Sequence, residues 1–123
     1  RFRSLPPPAQ EAWRAQQGYA RFADVLAHVI AWWEEALPAI RRLAAGEEVE
    51  QQQYDVDRFN AAALARYAAA DEAAVIAVFE ADRQQWLALI KALPDAALAD
   101  PRIADRLHIE LIGHYQEHAL ATQ

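Results

Sequence analysis

Two histidines near the end of the chain, in the run HYQEH, are the residues with the clearest capacity for chemistry. His114 and His118 are four residues apart, so an α-helix places them on one face, about 40° apart. The same stripe carries the apolar residues Ile103, Leu107 and Leu111. We therefore predict a helix over residues 103–122 whose inward side continues into the two imidazoles. Two imidazoles one turn apart that point into a helical bundle can chelate one transition-metal ion.

The alternative for this pair is two core histidines whose ring nitrogens are satisfied by hydrogen bonds. Burying two unpaired imidazoles costs a few kcal/mol, because polar groups lose their hydration. A metal ion removes that cost by using both nitrogen lone pairs. The helix alone leaves both interpretations open.

His28 is the natural third ligand, because it lies on a long predicted helix beside Val25 and Trp32. Three histidines leave coordination positions open for water or substrate, as in catalytic rather than closed structural metal sites. Imidazole ligands suit Zn²⁺ and Ni²⁺. On its own, His28 would be a partly buried structural histidine. The fourth histidine, His108, lies about 100° from the centre of the stripe and is predicted at the surface.

Glu110 lies one turn before His114 and borders the inward stripe. We predict one of three roles for it: an acceptor for a ligand N–H, a general base, or a solvated helix carboxylate. Glu117 completes an H-x-x-E-H pattern. We reject the corresponding protease, because the chain ends five residues after His118 and lacks strands.

Aromatic residues at helical spacing predict a core, and some of them could line a small-molecule pocket beside the metal. The predicted pocket residues are Trp32, Trp33, Phe59, Asn60 and Tyr67. Ser4 is the only serine and Thr122 the only threonine, which excludes a serine triad inside the fold. The sequence contains no glycine-rich phosphate loop, so nucleotide binding has no support.

Composition narrows the class of protein further. The 123 residues are enough for one domain, and 54% are hydrophobic, which is typical of a globular chain. The net charge of −6 argues against nucleic-acid and anionic-membrane partners. No apolar run approaches ~18 residues, so we expect no transmembrane helix. The absence of cysteine excludes disulfides and thiolate ligands and fits a cytoplasmic protein.

Periodicity and capping residues predict an all-α bundle. The predicted helices span residues 21–45, 56–69, 72–93 and 103–122. Pro38 should kink or restart the first of these helices. Asp55 and Asp71 are candidate N-caps, and Pro94 should end the third helix.

We expect residues 1–18 to be irregular, because Pro6, Pro7 and Pro8 favour polyproline II, with a short helical turn over residues 9–17 as an option. The opening RFRSLPPPAQ and the lack of any methionine suggest that an N-terminal helix precedes Arg1.

The runs FADVLAHVIAWWEE and IELIGHYQEHAL, with Phe59–Asn60 and Leu87–Pro94 between them, resemble the DinB-like superfamily and more narrowly its ClbS/DfsB-type branch. The resemblance covers about residues 19–120. It implies one four-helix bundle domain over residues 1–123 that lacks the family's first helix. It also implies a metal held by one histidine of the second helix and two of the last, which match His28, His114 and His118. Phe22 and Phe59 depart from the family's usual tryptophans.

The resemblance implies a metal-dependent enzyme that acts on a small electrophilic molecule, as a transferase or hydrolase that uses a low-molecular-weight thiol. An alternative is a bundle that sequesters a toxic small molecule without metal-dependent turnover. A third is a structural bundle with pH-sensitive core histidines. The small side chains of residues 61–65 could pack against a second subunit, which suggests a homodimer.

Overall fold

The computed structural model describes residues 1–119, and this part of the chain is helical without a strand. The all-α prediction is confirmed. After a 3₁₀ turn at Phe2–Ser4, the helices follow in this order: α1 Pro7–Gln17, α2 Phe22–Ala44, α3 Val56–Arg66, α4 Glu72–Ala92, α5 Asp95–Leu98, α6 Pro101–Leu107, a π-helical segment His108–Gly113, and α7 His114–Glu117. None of the described helices combines the length and the apolar character that crossing a bilayer requires.

Helix α2 is the central element, and it packs against α3, α4 and α6. It begins where the Asp24 carboxylate accepts from the backbone N–H of Arg21, an N-terminal capping arrangement. The Arg21 guanidinium also donates to the backbone carbonyls of Tyr67 and Ala68, which ties α2 to the end of α3. Helix α2 continues through Pro38 and is not restarted there. The exposed position of Pro38 leaves its ring in solvent rather than in the core.

The boundaries of α3 and α4 follow the predicted caps. The Asp55 side chain accepts from the backbone N–H of Arg58 at 3.1 Å, and that of Asp71 accepts from Ala74 at 2.7 Å. Each bond satisfies a donor that the first turn of a helix leaves unpaired. Pro94 follows the end of α4, as predicted, and the single turn α5 comes directly after it.

The expectation of an irregular segment over residues 1–18 was wrong for residues 7–17, where the optional helical turn over residues 9–17 forms as a helix two residues longer. Residues 7–17 form α1, with Pro7 at its first position, where proline's fixed φ and missing N–H suit a helix start. Gly18 ends α1 in the left-handed conformation at φ 76°. Phe2 stacks on Phe22 with ring centroids 4.3 Å apart, and Trp13 is buried against the same ring, so α1 is held against the start of α2.

The predicted last helix is present, but it is not α-helical throughout. The π-helical segment His108–Gly113 lies between α6 and α7, and the backbone stays in the right-handed helical region at both junctions. Residues 120–122 of the predicted helix lie outside the described residues. In this wider turn Glu110 is buried, at only 4% exposed, while Leu107 and Leu111 pack partly buried against the core as predicted.

The core has two main parts, both built on α2. One surrounds Trp33 and Trp86 and includes Ile103. The other surrounds Ala27 and Ile30 and includes Val75 and Tyr67. The first part joins the C-terminal helical stretch to α2 and α4, and thereby places the last two histidines opposite His28.

Candidate functional site

Three imidazoles from two distant parts of the chain lie side by side. The ring centroid of His28, on α2, is 5.3 Å from that of His114 and 5.3 Å from that of His118. The centroids of His114 and His118 are 5.9 Å apart, and their rings are nearly parallel, as expected for residues one turn apart. His108 is exposed, as its position on the predicted stripe indicated.

The His28 ring is oriented by Asn60 of α3. The Asn60 side-chain oxygen lies 2.9 Å from His28 Nδ1 and 2.9 Å from Trp32 Nε1. An indole N–H can only donate, so the group facing Trp32 is the amide oxygen. His28 Nδ1 therefore carries the proton in this contact, and Nε2 keeps a free lone pair.

The other two histidines have the same arrangement. His114 Nδ1 lies 2.9 Å from the backbone oxygen of Glu110, which can only accept. The same carbonyl accepts from Trp33 Nε1 at 2.8 Å. His118 Nδ1 lies 2.5 Å from the side-chain oxygen of Gln17, on α1. In all three rings the Nδ1 atom is bonded to oxygen, and within residues 1–119 His118 Nε2 is buried with no hydrogen-bond partner.

The electrostatics of the cluster favour neutral imidazoles. Burial lowers the pKa of His28 although its hydrogen bond to Asn60 acts in the opposite direction, and the neighbouring His114 lowers the pKa further. Burial is also the main cause that lowers the pKa of His118, to about 4, and the electrostatic effect of His28 is the second cause. A neutral ring with a protonated Nδ1 has its Nε2 lone pair available, which is the form that binds a metal ion.

As the side chains stand, no group of three or more His, Cys, Asp or Glu residues within the described part of the chain is close enough to hold a metal ion. The His28 ring meets the other two edge-on, at 87° and 82°. The structure therefore brings the three rings together without closing them around one point.

A cavity of about 540 Å³ lies beside these histidines. His114 and His118 form part of its wall, and most of the remaining wall is aromatic or aliphatic. The aromatic lining residues are Phe2, Trp13, Phe22, Trp33, Phe79 and Tyr115. A cavity of this size and character suits an apolar small molecule.

Comparison with known proteins adds the family. A family model described as the DinB superfamily matches residues 1–120. The chain belongs to the DinB superfamily. Proteins of this superfamily often bind divalent metal ions. No curated protein and no solved structure matches the chain.

The predicted pocket residues of this DinB-superfamily chain lie in three different places. Only Trp33 lines the large cavity. Trp32, Phe59 and Asn60 lie on the other side of His28, where the Trp32 and Phe59 ring centroids are 4.2 Å apart. Tyr67 is buried in the second part of the core, against Val75.

Glu110 is buried on the Nδ1 side of His114, and it is not among the residues that line the cavity. One of its carboxylate oxygens lies 3.6 Å from His114 Nδ1, and the other lies 3.5 Å from the Arg106 guanidinium. Burial raises the pKa of Glu110 to about 7, and Arg106 opposes this shift.

Sequence analysis did not predict that residues of α1 and of the segment after it contact the three histidines. Gln17 contacts His118, and the Tyr19 ring centroid lies 5.7 Å from that of His28. The signals were present in the sequence as Pro7 and Gly18, which bound a short helix at its two ends. They gave no indication that this helix folds back onto the histidines.

Proposed function

We propose that this DinB-superfamily protein binds a divalent transition-metal ion, Zn²⁺ or Ni²⁺, through His28, His114 and His118. The observation that carries the proposal is the common pattern of the three rings, each with Nδ1 bonded to an oxygen. Histidine ligands usually donate their second ring nitrogen to a carbonyl, carboxylate or water in this way, which fixes the tautomer that ligates. Asn60, the Glu110 carbonyl and Gln17 supply these acceptors here.

The spacing of the rings supports the same ligand set. Rings that share one tetrahedral ion at bonds of about 2.1 Å have centroids about 5.3 Å apart. The two separations from His28 are 5.3 Å, and the separation of His114 from His118 is somewhat larger at 5.9 Å. Rotation about the terminal torsion of histidine is soft, so small rotations would direct the Nε2 atoms toward one point at low cost.

The proposed reaction is a transfer or hydrolysis on a small, apolar electrophile, as the resemblance to the DinB-like superfamily implies. A metal ion held by these histidines would supply Lewis acidity and lower the pKa of a bound water or low-molecular-weight thiol. The cavity would hold the electrophile by burying its apolar surface and would exclude bulk water. In the transferase form, a thiolate sulfur bonds to the electrophilic carbon as the leaving group departs with its electron pair.

We assign Glu110 a positioning role beside His114 rather than that of a general base. Its side chain lies on the side of His114 away from the cavity, so it has no route to a substrate proton there. Its backbone carbonyl holds His114 and Trp33 together, which links one proposed ligand to the cavity wall.

Elemental analysis of protein purified without a histidine tag tests the metal site. We expect about one Zn²⁺ or Ni²⁺ per chain, and loss of the metal in His114→Ala. His108→Ala is the matched control, since it removes an exposed histidine from the same helical stretch. Substoichiometric metal in the wild type, or unchanged metal in His114→Ala, would refute the site.

Activity is tested with an apolar aryl halide or epoxide and a panel of low-molecular-weight thiols, with product formation followed before and after chelation. We expect turnover that chelation abolishes and metal restores. The apolar cavity also favours a second function, sequestration of a small molecule without turnover. That function predicts saturable binding that survives chelation, with the ligand recovered intact.

A further inference from the structure

A second, smaller cavity lies between α2 and α4. Its volume is about 200 Å³, and Trp33 separates it from the apolar cavity, since Trp33 lines both. Its lining residues are Trp33, Glu34, Leu37, Pro38, Arg41, Asp82, Gln85 and Trp86. Unlike the first cavity, it is bounded by charged groups of both signs.

Two polar groups in its wall are buried without a partner. Asp82 is 8% exposed and Trp86 is 2% exposed. Within residues 1–119, neither Asp82 Oδ2 nor Trp86 Nε1 has a hydrogen-bond partner. One of these atoms is an acceptor and the other is a donor. An unmade hydrogen bond of a buried group is unfavourable, so a ligand that pairs with these groups recovers part of the free energy lost on burying them.

Of the three charged residues that line the cavity, Glu34 has an ion-pair partner, whereas Asp82 and Arg41 are available to a ligand. The Glu34 carboxylate already forms an ion pair with Arg66, at 2.5 Å, so its charge is neutralised by a residue that does not line the cavity. Arg41 is exposed at the opening and forms none of the ion pairs among residues 1–119. A ligand in this cavity would thus meet a carboxylate at Asp82 and a guanidinium at Arg41.

We propose that this cavity binds a small zwitterion that carries one ammonium group and one carboxylate. The ammonium group donates to the Asp82 carboxylate, in the part of the wall that Trp33 and Trp86 also line. The carboxylate accepts from Arg41 and from Trp86 Nε1. At about 30 Å³ per water, the volume of the cavity corresponds to a ligand of about six to ten non-hydrogen atoms, the size of a small free amino acid.

Isothermal titration of the full chain with four probes of similar size tests the proposal. The probes are 4-aminobutyrate and proline, which have both charges, n-butylamine, which has only the ammonium group, and n-butyrate, which has only the carboxylate. We expect at least one zwitterion to bind saturably and at least tenfold more tightly than either singly charged probe. Equal affinity for all four probes, or no heat with any of them, would overturn the proposal.

Variants separate the two ends of the site. Asp82→Asn should weaken binding of the zwitterion at least tenfold, and Arg41→Gln should weaken it by a similar factor. Arg41 is exposed, so its variant has no folding problem to confuse the result. Asp105→Asn is the charge-matched control, because it removes one exposed carboxylate from α6. Unchanged affinity in Asp82→Asn or Arg41→Gln, or an equal loss in Asp105→Asn, would contradict the assignment.

Discussion

Asn60 shows at the scale of one residue how the site is positioned. Its amide oxygen accepts from both His28 and Trp32, and the indole fixes which way the amide faces. Trp32 and Asn60, which we predicted as pocket residues, therefore fix the orientation and the tautomer of the His28 ring. The large cavity does not involve them, since it is lined by His114 and His118.

Asn60→Ala should lower metal affinity about 10- to 100-fold, because the loss of an outer hydrogen-bond partner frees the orientation and tautomer of the ligand. The measurement is competition with a chromophoric chelator of known affinity. Trp32→Phe is the graded comparison: it removes the N–H that fixes which way the Asn60 amide faces but keeps the amide itself, so it should lower metal affinity by less than Asn60→Ala does. Unchanged affinity in Asn60→Ala would contradict the positioning role of Asn60.

The stability of the protein should fall with rising pH where Asp82 loses its proton. Burial is the main cause that raises its pKa, Glu34 adds to the shift, and Arg66 opposes it. The folded state therefore binds the proton more tightly than the unfolded state does. The contribution of Asp82 to stability is complete below the unfolded pKa of about 3.9 and is lost as pH rises through the folded pKa.

Asp82→Asn should consequently raise the free energy of unfolding at pH 7, on the order of 1 kcal/mol after allowance for solvent screening, and should change it little at pH 3.5. Urea unfolding followed by circular dichroism at both pH values measures this. A variant less stable than the wild type at pH 7 would show that the charged carboxylate is stabilised by its surroundings. Higher stability together with weaker ligand binding is the trade-off expected of a residue kept for binding.

At the scale of the elements, the capping residues in the sequence were sufficient to predict where α3 and α4 begin. Asp55 and Asp71 begin α3 and α4 because their side chains accept from the first turn, a bond that the sequence predicts without knowledge of the fold. The π-helical segment gave no such signal. A stripe drawn at 3.6 residues per turn selected Leu107 and Leu111 as inward, and both pack partly buried against the core, but it did not predict that Glu110 would be buried as well.

A substitution at Gly113 tests whether the π-helical segment needs the conformational freedom of glycine. Its backbone lies at φ −58° and ψ −53°, which any residue adopts, and a Cβ there would lie 3.6 Å from the His108 carbonyl oxygen, an ordinary contact. Gly113→Ala should therefore raise the free energy of unfolding by about 0.5–1 kcal/mol, the helical advantage of alanine over glycine.

Urea unfolding of the metal-free protein provides the measurement, and Ala104→Gly, at an exposed position of α6, is the reciprocal control. It should lose a similar amount. Loss of stability in Gly113→Ala would indicate that the segment moves through conformations that only glycine permits.

At the scale of the whole molecule, residue spacing alone did not show which surfaces meet, and the pairing of His28 with the last two histidines was implied by the family resemblance. The pair on the last helix predicted an HxxxH face, but the approach of His28 depends on the packing of α6 against α2. The cavity depends on α1 folding back so that Phe2 and Trp13 form its wall, and nothing in the spacing of those residues requires that contact. Residues 61, 62 and 65 of α3 are exposed, and the homodimer through this face stays a prediction for light scattering.

Metal binding should stabilise the whole molecule, because its proposed ligands come from α2 and from the last helical stretch and are far apart in the unfolded chain. Binding to the folded state alone adds about 2.7 kcal/mol at a free metal concentration 100 times the Kd. For a domain of this size that corresponds to a rise in Tm of about 10 °C. Differential scanning calorimetry with buffered Zn²⁺ measures the shift, which a chelator should reverse.

His114→Ala should remove most of this rise in Tm, and His108→Ala should keep it. The comparison depends on the metal-induced shift within each variant rather than on its absolute Tm, so a loss of packing at His114 does not affect the conclusion. A shift of equal size in His114→Ala would mean that Zn²⁺ binds elsewhere on the folded chain. In that case the three hydrogen-bonded rings would be core histidines satisfied through Nδ1, which is the structural alternative that the spacing of His114 and His118 left open.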